Sequence, residues 1–319
     1  MRVSVIIPAH NAASTVASTL ESLETARAHI FEILLVDDCS RDETAQIAID
    51  TARNLDLPLK ILSCAYRDAG AARNLGIEES KGEWIYFLDA DDLHVSDGIG
   101  ILLAEAGRRP EVGLVAGAYR RIVDGRPRRK KRPNRLSEHP LTNARYYLSG
   151  RIRSFPVGTV LVSRQAIGTY RFPRQMPYDE DTVFWTAVLT ATRASTVQAC
   201  VLIYQICTLR AEKRFLKDPV GAYLRWRRAL RILSELGVPG FDAEMRAGIV
   251  ALKIARVNYA RGRIQTAARF LSLAAKPSKS PANRWRRLRY VMKVAIAARV
   301  RRQVDAEALQ VGNRAVDDA

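Results

Sequence analysis

The sequence predicts an α/β fold: a mostly parallel, Rossmann-like sheet with helices on both faces, followed by a C-terminal helical extension. In the first hundred residues, short apolar runs alternate with helical patterns, and this alternation is typical of a parallel sheet covered on both faces. The predicted strands span residues 3–8, 31–36, 59–62, 84–88, 158–163 and 197–205. The predicted helices between them span residues 14–27, 42–54, 69–80 and 179–193, and residues 112–123 resemble a pair of strands. From Thr208 the pattern is purely helical, over residues 212–236, 242–261, 264–275 and 283–303.

The composition favours a folded, intracellular protein. Hydrophobic residues make up 48% of the 319 residues, which is enough for a sizeable core. No run approaches the roughly 18 apolar residues of a membrane-spanning helix. The chain opens on a short Val/Ile run that stops at Pro8, which resembles a first strand more than an export signal. We therefore expect a cytoplasmic protein. Cys39, Cys64, Cys200 and Cys207 lack metal-ligand spacing, so we expect small buried residues.

The charge is distributed unevenly along the chain. The first 207 residues carry 26 basic and 24 acidic side chains, whereas the residues from Thr208 onward carry 25 and 9. Seven of the basic residues of the first part lie within residues 126–135. We therefore expect two parts with different roles: an α/β domain over residues 1–207 and a basic helical region over residues 208–304, followed by a disordered tail over residues 305–319. The basic part could face nucleic acid, an anionic membrane or a phosphorylated substrate.

Polar clusters directly follow three of the predicted strands. His10 and Asn11 follow the first, Asp37 and Asp38 the second, and an acidic cluster at residues 89–92 the fourth. In parallel sheets, ligands bind beyond the carboxyl ends of the strands. We therefore expect these side chains to share one site.

The cluster Asp89, Asp91 and Asp92 suggests a cation site. Three neighbouring carboxylates repel one another unless a cation joins them, and Mg²⁺ or Mn²⁺ is typically held by one or two carboxylates together with substrate phosphates. The alternative is an acidic turn with solvated side chains.

Three further groups have both a functional and a structural interpretation. A carboxylate of Asp37 or Asp38 could accept hydrogen bonds from a nucleotide, or residues 40–42 could simply cap the next helix. The small residues around Gly70 could admit a ligand that Arg73 contacts, or only allow close packing. A carboxylate in residues 179–181 could act as a general base, or only favour a helix N-terminus.

Five short motifs in order resemble the signature of family 2 inverting glycosyltransferases of the GT-A fold, over about residues 1–207. They are Pro-Ala-His-Asn (residues 8–11), Val-Asp-Asp-Cys-Ser-Arg-Asp (36–42), Gly-Ala-Ala-Arg-Asn-Leu-Gly (70–76), Leu-Asp-Ala-Asp-Asp (88–92) and Glu-Asp-Thr-Val-Phe-Trp (180–185). Each motif alone is weak, but five in order are specific.

The resemblance implies a role for each matching residue. Pro8, His10 and Asn11 would line the nucleoside pocket, with Asp37 and Asp38 at the base. Gly70, Arg73 and Asn74 would border the diphosphate. Asp89 and Asp91 would form the metal-binding DxD motif with Asp92 as a further ligand, and Asp181 and Glu180 would be the catalytic residues, with Asp181 as the base.

The resemblance also implies substrates and partners. It implies a nucleoside-diphosphate sugar donor, usually a UDP-sugar, and a glycan or polyprenyl-linked acceptor, in the assembly of exopolysaccharide, capsule or another bacterial cell-surface polysaccharide. Two positions depart from the family pattern. His10 replaces a usual tyrosine, and the late histidine ligand of many members is missing after residue 204, so that Cys207 or a water would take its place.

Other functions are compatible with parts of the sequence. Net charge +18 and the basic run 126–135 would suit a nucleic-acid-binding protein, which leaves the acidic strand ends unexplained. A sugar nucleotidyltransferase would usually carry a Gly-rich loop, which residues 8–19 lack. Arginines flank Trp226 and Trp285, which suits either peripheral contact with an anionic membrane or a helical packing domain. Nucleic acid is not an expected partner.

Overall fold

The structure is a computed structural model that describes residues 1–176 and 178–274. Two compact units are present. The first comprises Met1–Ala211 and Arg225–Asp242, and the second comprises Glu212–Leu224 and the described residues from Ala243 onward. The predicted disordered tail and the predicted helix 283–303 lie outside the described residues.

The strands of the described residues all belong to one sheet. They are β1 (Val3–Ala9), β2 (Ile30–Asp38), β3 (Leu59–Cys64), β4 (Trp84–Phe87), β5 (Leu93–His94), β6 (Val112–Val123), β7 (Arg126–Pro127), β8 (Val160–Ser163) and β9 (Arg193–Ile206). The helices of the first unit up to the sheet's last strand are α1 (Val16–Glu21), α2 (Thr44–Asn54), α3 (Ala69–Glu79), α4 (Gly98–Arg108), α5 (Pro140–Leu148), α6 (Arg164–Ile167) and α7 (Glu180–Ala191). The later helices are α8 (Thr208–Leu216), α9 (Pro219–Ala229), α10 (Arg231–Glu235), α11 (Gly240–Ala260) and α12 (Ile264–Leu273).

The sheet has a parallel part and a mixed part. Its strand order is β3-β2-β1-β4-β8-β6-β9-β5, with β7 paired to β6. Strands β3, β2, β1 and β4 are parallel, as predicted, whereas β8 is antiparallel to both β4 and β6. Strand β6 is parallel to β9, and β5 is antiparallel to it. The predicted α/β fold with a C-terminal helical region is confirmed, with antiparallel pairs joining its two parallel parts.

Alternating side chains of β1 pack against helices on opposite faces of the sheet. Val5 and Ile7 belong to a buried cluster that includes Leu20 of α1 and Leu102 of α4. Ile6 points the other way, toward Gly76 of α3. Since successive side chains of a strand face opposite ways, the apolar run over residues 5–9 is typical of a strand buried on both faces.

Several sequence-based boundaries differ from the structure. The helix expected over residues 14–27 is α1 followed by a 3₁₀ helix, Glu24–His29, and the N-cap of α1 is Thr15, without a side-chain hydrogen bond. The strand pair expected over residues 112–123 is the single strand β6. The helix expected over residues 212–236 is broken near Pro219, because proline cannot donate the hydrogen bond that a continuing helix needs.

The expectation that the four cysteines are small buried residues is wrong. Cys39 and Cys207 are exposed, and Cys64 and Cys200 are half-buried free thiols, so the cysteines are not core residues. Burial, reinforced by the charge of Asp38, raises the pKa of the Cys64 thiol to about 11. Trp226 is fully buried, so it is not available to insert into a bilayer.

The second unit has its own small core. Tyr223 meets the ring of Phe270 edge to face, with centroids 5.5 Å apart, and its hydroxyl donates to the Ala247 carbonyl at 3.4 Å. Asn258 donates to the Phe215 carbonyl at 3.2 Å. No helix of the described residues is long and apolar enough to cross a membrane.

Replacing Gly76 by alanine is predicted to destabilise the fold. A Cβ at Gly76 would overlap Cγ2 of the buried Ile6, and overpacking of this kind costs about 1–3 kcal/mol. Gly248→Ala is the matched control, because the nearest atom to a Cβ there is the Ala274 carbonyl oxygen at 3.9 Å. We expect urea unfolding to show a loss for Gly76→Ala only. Equal unfolding free energies for the two variants would contradict the packing of α3 on β1.

Candidate functional site

The ends of β1 and β2 are joined by a hydrogen-bonded network. The Nδ1–H of His10 donates to the Asp38 carbonyl at 2.6 Å. The backbone N–H of Asn11 donates to Ser40 Oγ at 2.9 Å, and its side-chain oxygen accepts from the Arg41 N–H at 2.8 Å. Asn11 has a left-handed backbone (φ 51°), which asparagine tolerates better than most residues. His10 and Asn11 are exposed and the adjoining Pro8 is half-buried, so all three lie at the predicted sheet edge.

Asp38 fixes the loop between β3 and α3. It is only 4% exposed, and its carboxylate accepts the backbone N–H groups of Tyr66, Arg67 and Asp68 at 2.6, 2.8 and 2.8 Å. Asp37 is half-buried and accepts the Ser40 N–H at 3.1 Å. Both carboxylate oxygens of Asp38 accept hydrogen bonds from the backbone. The predicted contact of Asp38 with a nucleobase therefore stays a prediction.

The N-terminal half of α3 packs against the chain at Phe172. The Asn74 amide exchanges two hydrogen bonds with the Phe172 backbone, at 2.9 and 2.8 Å. A Cβ at Gly70 would lie 3.2 Å from both the Phe172 Cβ and the Pro173 carbonyl oxygen. Asp68 caps the helix by accepting the Ala71 N–H at 3.0 Å. Gly70 and Asn74 thus position this segment in the structure, and their contact with a diphosphate stays a prediction.

Arg73 links the acidic strand end, which is the cluster at residues 89–92 after β4, to helix α7. Its guanidinium is 2.6 Å from Asp89 Oδ1 and 3.2 Å from Glu180 Oε1, and its side chain is only 5% exposed. Burial opposes the charge on Arg73, but the carboxylates of Asp89 and Glu180 outweigh it and hold its pKa above the ordinary value. The Arg73 guanidinium therefore joins the motif at residues 88–92 to the motif at residues 180–185.

An aromatic cluster lies beneath this arginine. The Arg73 guanidinium is 5.2 Å from the centroid of the Phe172 ring, which stacks on Phe184 at 3.9 Å and 14°. Phe87 meets both rings edge to face, and Trp185 is fully buried beside them. Phe87 ends β4 two residues before Asp89, and Phe184 lies on α7, so the aromatic cluster holds the end of β4 and helix α7 together.

The carboxylates after β4 suit a hard divalent cation. Asp89, Asp91 and Asp92 offer only oxygen donors, and Asp89 and Asp91 are half-buried. Asp92 is 1% exposed; its Oδ1 accepts the Gln205 N–H at 2.8 Å, and its Oδ2 has no hydrogen-bond partner among the described residues. Burial, with the nearby charge of Asp89, raises the pKa of the Asp92 carboxyl well above its ordinary value.

These donors do not form a complete cage by themselves. Across residues 1–176 and 178–274, no three His, Cys, Asp or Glu side chains converge on a cation position, and Cys207 is part of no such group. Mg²⁺ commonly takes one or two carboxylates and completes its shell with waters and substrate phosphates. The residues therefore fit a cation that arrives with a diphosphate.

The N-terminus of α7 presents three carboxylates. Asp179 precedes the helix in a left-handed conformation (φ 66°), and Glu180 and Asp181 form the first turn. Asp181 is half-buried, and its Oδ1 accepts the Thr182 N–H at 2.7 Å. Glu180 binds Arg73, which also binds Asp89. Asp181 is therefore the next residue in the chain after one member of this ion-pair network.

The structure joins Asp89, Arg73 and Glu180 directly and ties His10 and Asn11 to the end of β2 through a separate network, and it also contains contacts that the sequence does not predict. We did not predict a role for Phe172, although two of the predicted residues, Asn74 and Arg73, contact it. The sequence did contain a signal for the ion pairs of Arg73. This arginine follows Gly70, Ala71 and Ala72, small residues that allow close packing of the helix, and an arginine buried by such packing requires carboxylate partners.

Sequence comparisons find glycosyltransferases. The profile of glycosyl transferase family 2 matches residues 4–171, more than half of the chain. The poly(ribitol-phosphate) beta-N-acetylglucosaminyltransferase TarS of Staphylococcus aureus is 34% identical over 94 residues, which are 29% of this chain and 16% of TarS. The uncharacterized glycosyltransferase YibD of Escherichia coli is 38% identical over 91 residues, 28% of this chain and 26% of YibD. These alignments span about a quarter or less of each relative.

Solved structures share the fold. TarS residues 1–349 of S. aureus, in complex with UDP-GlcNAc, have a TM-score of 0.57 at 18% identity, covering 86% of this chain and 90% of that one. The mannosyltransferase PcManGT of Pyrobaculum calidifontis, in complex with GDP-Man and Mn²⁺, has a TM-score of 0.57 at 19% identity, covering 95% and 87%. At this identity the likeness shows the GT-A fold alone.

The profile covers the ends of β1, β2 and β4 and all of α3, where most of the site residues lie. The predicted family is confirmed by this match, and the alternatives of a nucleic-acid-binding protein and a nucleotidyltransferase are not favoured. The chain belongs to glycosyl transferase family 2.

Proposed function

We propose that this protein transfers a sugar from a nucleoside-diphosphate sugar, in the first instance a UDP-sugar, to a hydroxyl of a glycan or polyprenyl-linked acceptor, with inversion. The reaction would serve the assembly of exopolysaccharide, capsule or another cell-surface polysaccharide. The observation that carries this proposal is the Arg73 ion pair with both Asp89 and Glu180, because it joins a cation-binding strand end to the helix that bears a general base.

The nucleoside is assigned to the edge formed by the ends of β1 and β2. His10 and Asn11 are exposed there, and Asp37 is half-buried beside them. An imidazole ring can stack on a base, and a carboxylate can accept hydrogen bonds from base or ribose. The structure of TarS with UDP-GlcNAc and that of PcManGT with GDP-Man support a sugar nucleotide as donor.

The diphosphate is assigned to the acidic strand end. Asp89, Asp91 and Asp92 would hold Mg²⁺ or Mn²⁺, and the Mn²⁺ bound in PcManGT supports this choice. A divalent cation there would neutralise the negative charge of the departing diphosphate. Arg73 lies at the same place with a fixed guanidinium, and a preorganised cation of this kind stabilises developing charge without reorganising.

The acceptor hydroxyl is assigned to Asp181. As the acceptor oxygen bonds to the anomeric carbon, the bond from that carbon to the diphosphate breaks, its electron pair leaves with the diphosphate, and the hydroxyl proton passes to the Asp181 carboxylate. Attack from the face opposite the leaving group inverts the anomeric centre. Glu180 is paired with Arg73, so it would position the first turn of α7 rather than accept the proton.

The domain assignment is part of the proposal. Residues 1–207 would carry donor binding and catalysis, and residues 208–304 would form a basic helical region that contacts the anionic inner face of the cytoplasmic membrane. Since Trp226 is buried, the candidate contact is the basic segment 284–302, which lies outside the described residues.

Sugar nucleotides are predicted to stabilise the protein in a metal-dependent way. We expect a UDP-sugar with Mn²⁺ to raise Tm more than GDP- or dTDP-sugars do, since a ligand at about 100 times its Kd adds about 2.7 kcal/mol to the native state. Asp91→Asn should lose the metal-dependent part of the shift. The control is Asp50→Asn, an exposed residue of α2. A screen in which no sugar nucleotide shifts Tm, with or without metal, would refute donor binding.

Asp181→Asn is predicted to abolish transfer while donor binding stays near normal. A carboxylate base contributes roughly 10²- to 10⁴-fold to the rate, and asparagine cannot accept the proton. The measurement is nucleoside-diphosphate release from the donor found in the screen, with acceptor glycans present. The control is Asp179→Asn, an isosteric change two residues away in a conformation that asparagine tolerates. Lost donor binding with residual transfer intact would show that the role is misassigned.

A further inference from the structure

The sequence 120–135 carries an unusual concentration of positive charge that the proposed chemistry does not use. We call this segment the basic hairpin; it comprises the end of β6, strand β7 and the loop that follows. Nine of its sixteen residues are Arg or Lys, seven of them Arg, and one, Asp124, is acidic. Arg126, Arg128 and Arg129 are exposed.

Within the part of the chain that the structure describes, few carboxylates compensate this charge. Asp124 accepts the Thr208 N–H at 2.8 Å and the Thr208 hydroxyl at 2.6 Å, and these hydrogen bonds, with the charges of Arg128 and Arg126, lower its pKa, so it offsets one of the nine positive charges. Within the described residues, no ion pair joins the basic hairpin to a carboxylate, whereas Arg109 and Arg145 nearby in sequence are paired with Glu138 and Asp242.

The hairpin is nevertheless ordered by its backbone. Tyr119 and Lys131 exchange two backbone hydrogen bonds, at 2.9 and 2.7 Å, and the Arg128 N–H donates to the Arg121 carbonyl at 2.8 Å. The Arg153 N–H donates to Asn134 Oδ1 at 2.9 Å. These contacts hold like charges close together, which is unfavourable without an anion.

The basic hairpin adjoins the proposed active site through β9. Arg121 of β6 is in register with Tyr204 of β9, and the next residue, Gln205, donates its N–H to Asp92. The rings of Tyr119 and Tyr204 meet at 6.3 Å. The Nε of Arg121 is buried without a hydrogen-bond partner among the described residues. A polymer bound along the hairpin could therefore reach the acidic strand end.

We propose that the acceptor is a polyanion with repeated phosphate groups, and that it docks on the basic hairpin. This inference rests on the proposed function and names the class of its acceptor. Seven arginines favour phosphate, because the planar guanidinium binds phosphate oxygens in a bidentate way. A membrane surface is disfavoured, because membrane-binding segments combine cations with exposed apolar side chains, and none of the large exposed hydrophobic residues described lies in 120–135.

Linear inorganic polyphosphate is the probe that tests the proposal. The hairpin variant carries Arg126→Gln, Arg128→Gln, Arg129→Gln and Arg132→Gln, all at exposed positions. The control variant removes the same charge at four other exposed positions, through Lys81→Gln, Arg193→Gln, Lys213→Gln and Arg228→Gln. We expect at least a ~10-fold loss of polyphosphate affinity in the hairpin variant only, and a slope of log affinity against log salt that is smaller by about three, at roughly 0.7 per lost contact.

Other outcomes overturn the inference. Equal loss of affinity in the control variant would mean that only net charge matters, and unchanged affinity in the hairpin variant would mean that the hairpin does not bind phosphate. Loss of binding to phosphatidylglycerol vesicles, but not to polyphosphate, would assign the surface to a membrane. The UDP-sugar shift in Tm is measured on the same samples: if the unaltered protein binds no donor, the proposed function fails, whereas donor binding without hairpin-dependent polyphosphate binding refutes only the acceptor class.

Discussion

A buried guanidinium between two carboxylates is the interaction on which the site depends. Burying a charge costs several kcal/mol unless good partners compensate it, so Arg73 can lie in the interior only while Asp89 and Glu180 stay within reach. Asp89 follows β4 and Glu180 begins α7, more than ninety positions apart in the chain. The same contact therefore stabilises the fold and sets where a leaving group and a base would meet.

Several residues that we first assigned to substrate binding also hold the framework. Asp38 fixes three backbone amides of the loop before α3, and Asn74 binds the backbone of Phe172. Phe172 in turn stacks on Phe184 beneath Arg73. In the absence of a ligand, the buried polar groups of such a site form hydrogen bonds with one another, because leaving a buried polar group unpaired costs free energy. The residues that a donor would contact are therefore already oriented by the protein.

The sequence was sufficient to predict the parallel strands and the polar residues at their carboxyl ends, because apolar runs ending in polar residues mark strands and their carboxyl ends. It was insufficient for features set by distant parts of the chain. The antiparallel placement of β8 between β4 and β6 depends on pairing across the whole sheet. The partners of Arg73 depend on which carboxylates tertiary packing brings near. Cys39 and Cys207 were misplaced because the hydrophobicity of a residue type does not determine its burial in a particular loop.

Whether Arg73 and Glu180 stabilise each other can be measured by a double-mutant cycle. The unfolding free energies of the unaltered protein, Arg73→Met, Glu180→Gln and the double variant yield the coupling between the two side chains. Residues in one ion-pair network couple by about 0.5–3 kcal/mol, and we predict a favourable coupling of at least about 1 kcal/mol. Additivity within about 0.3–0.5 kcal/mol would contradict the account, because it would mean that Arg73 does not join the acidic strand end to α7.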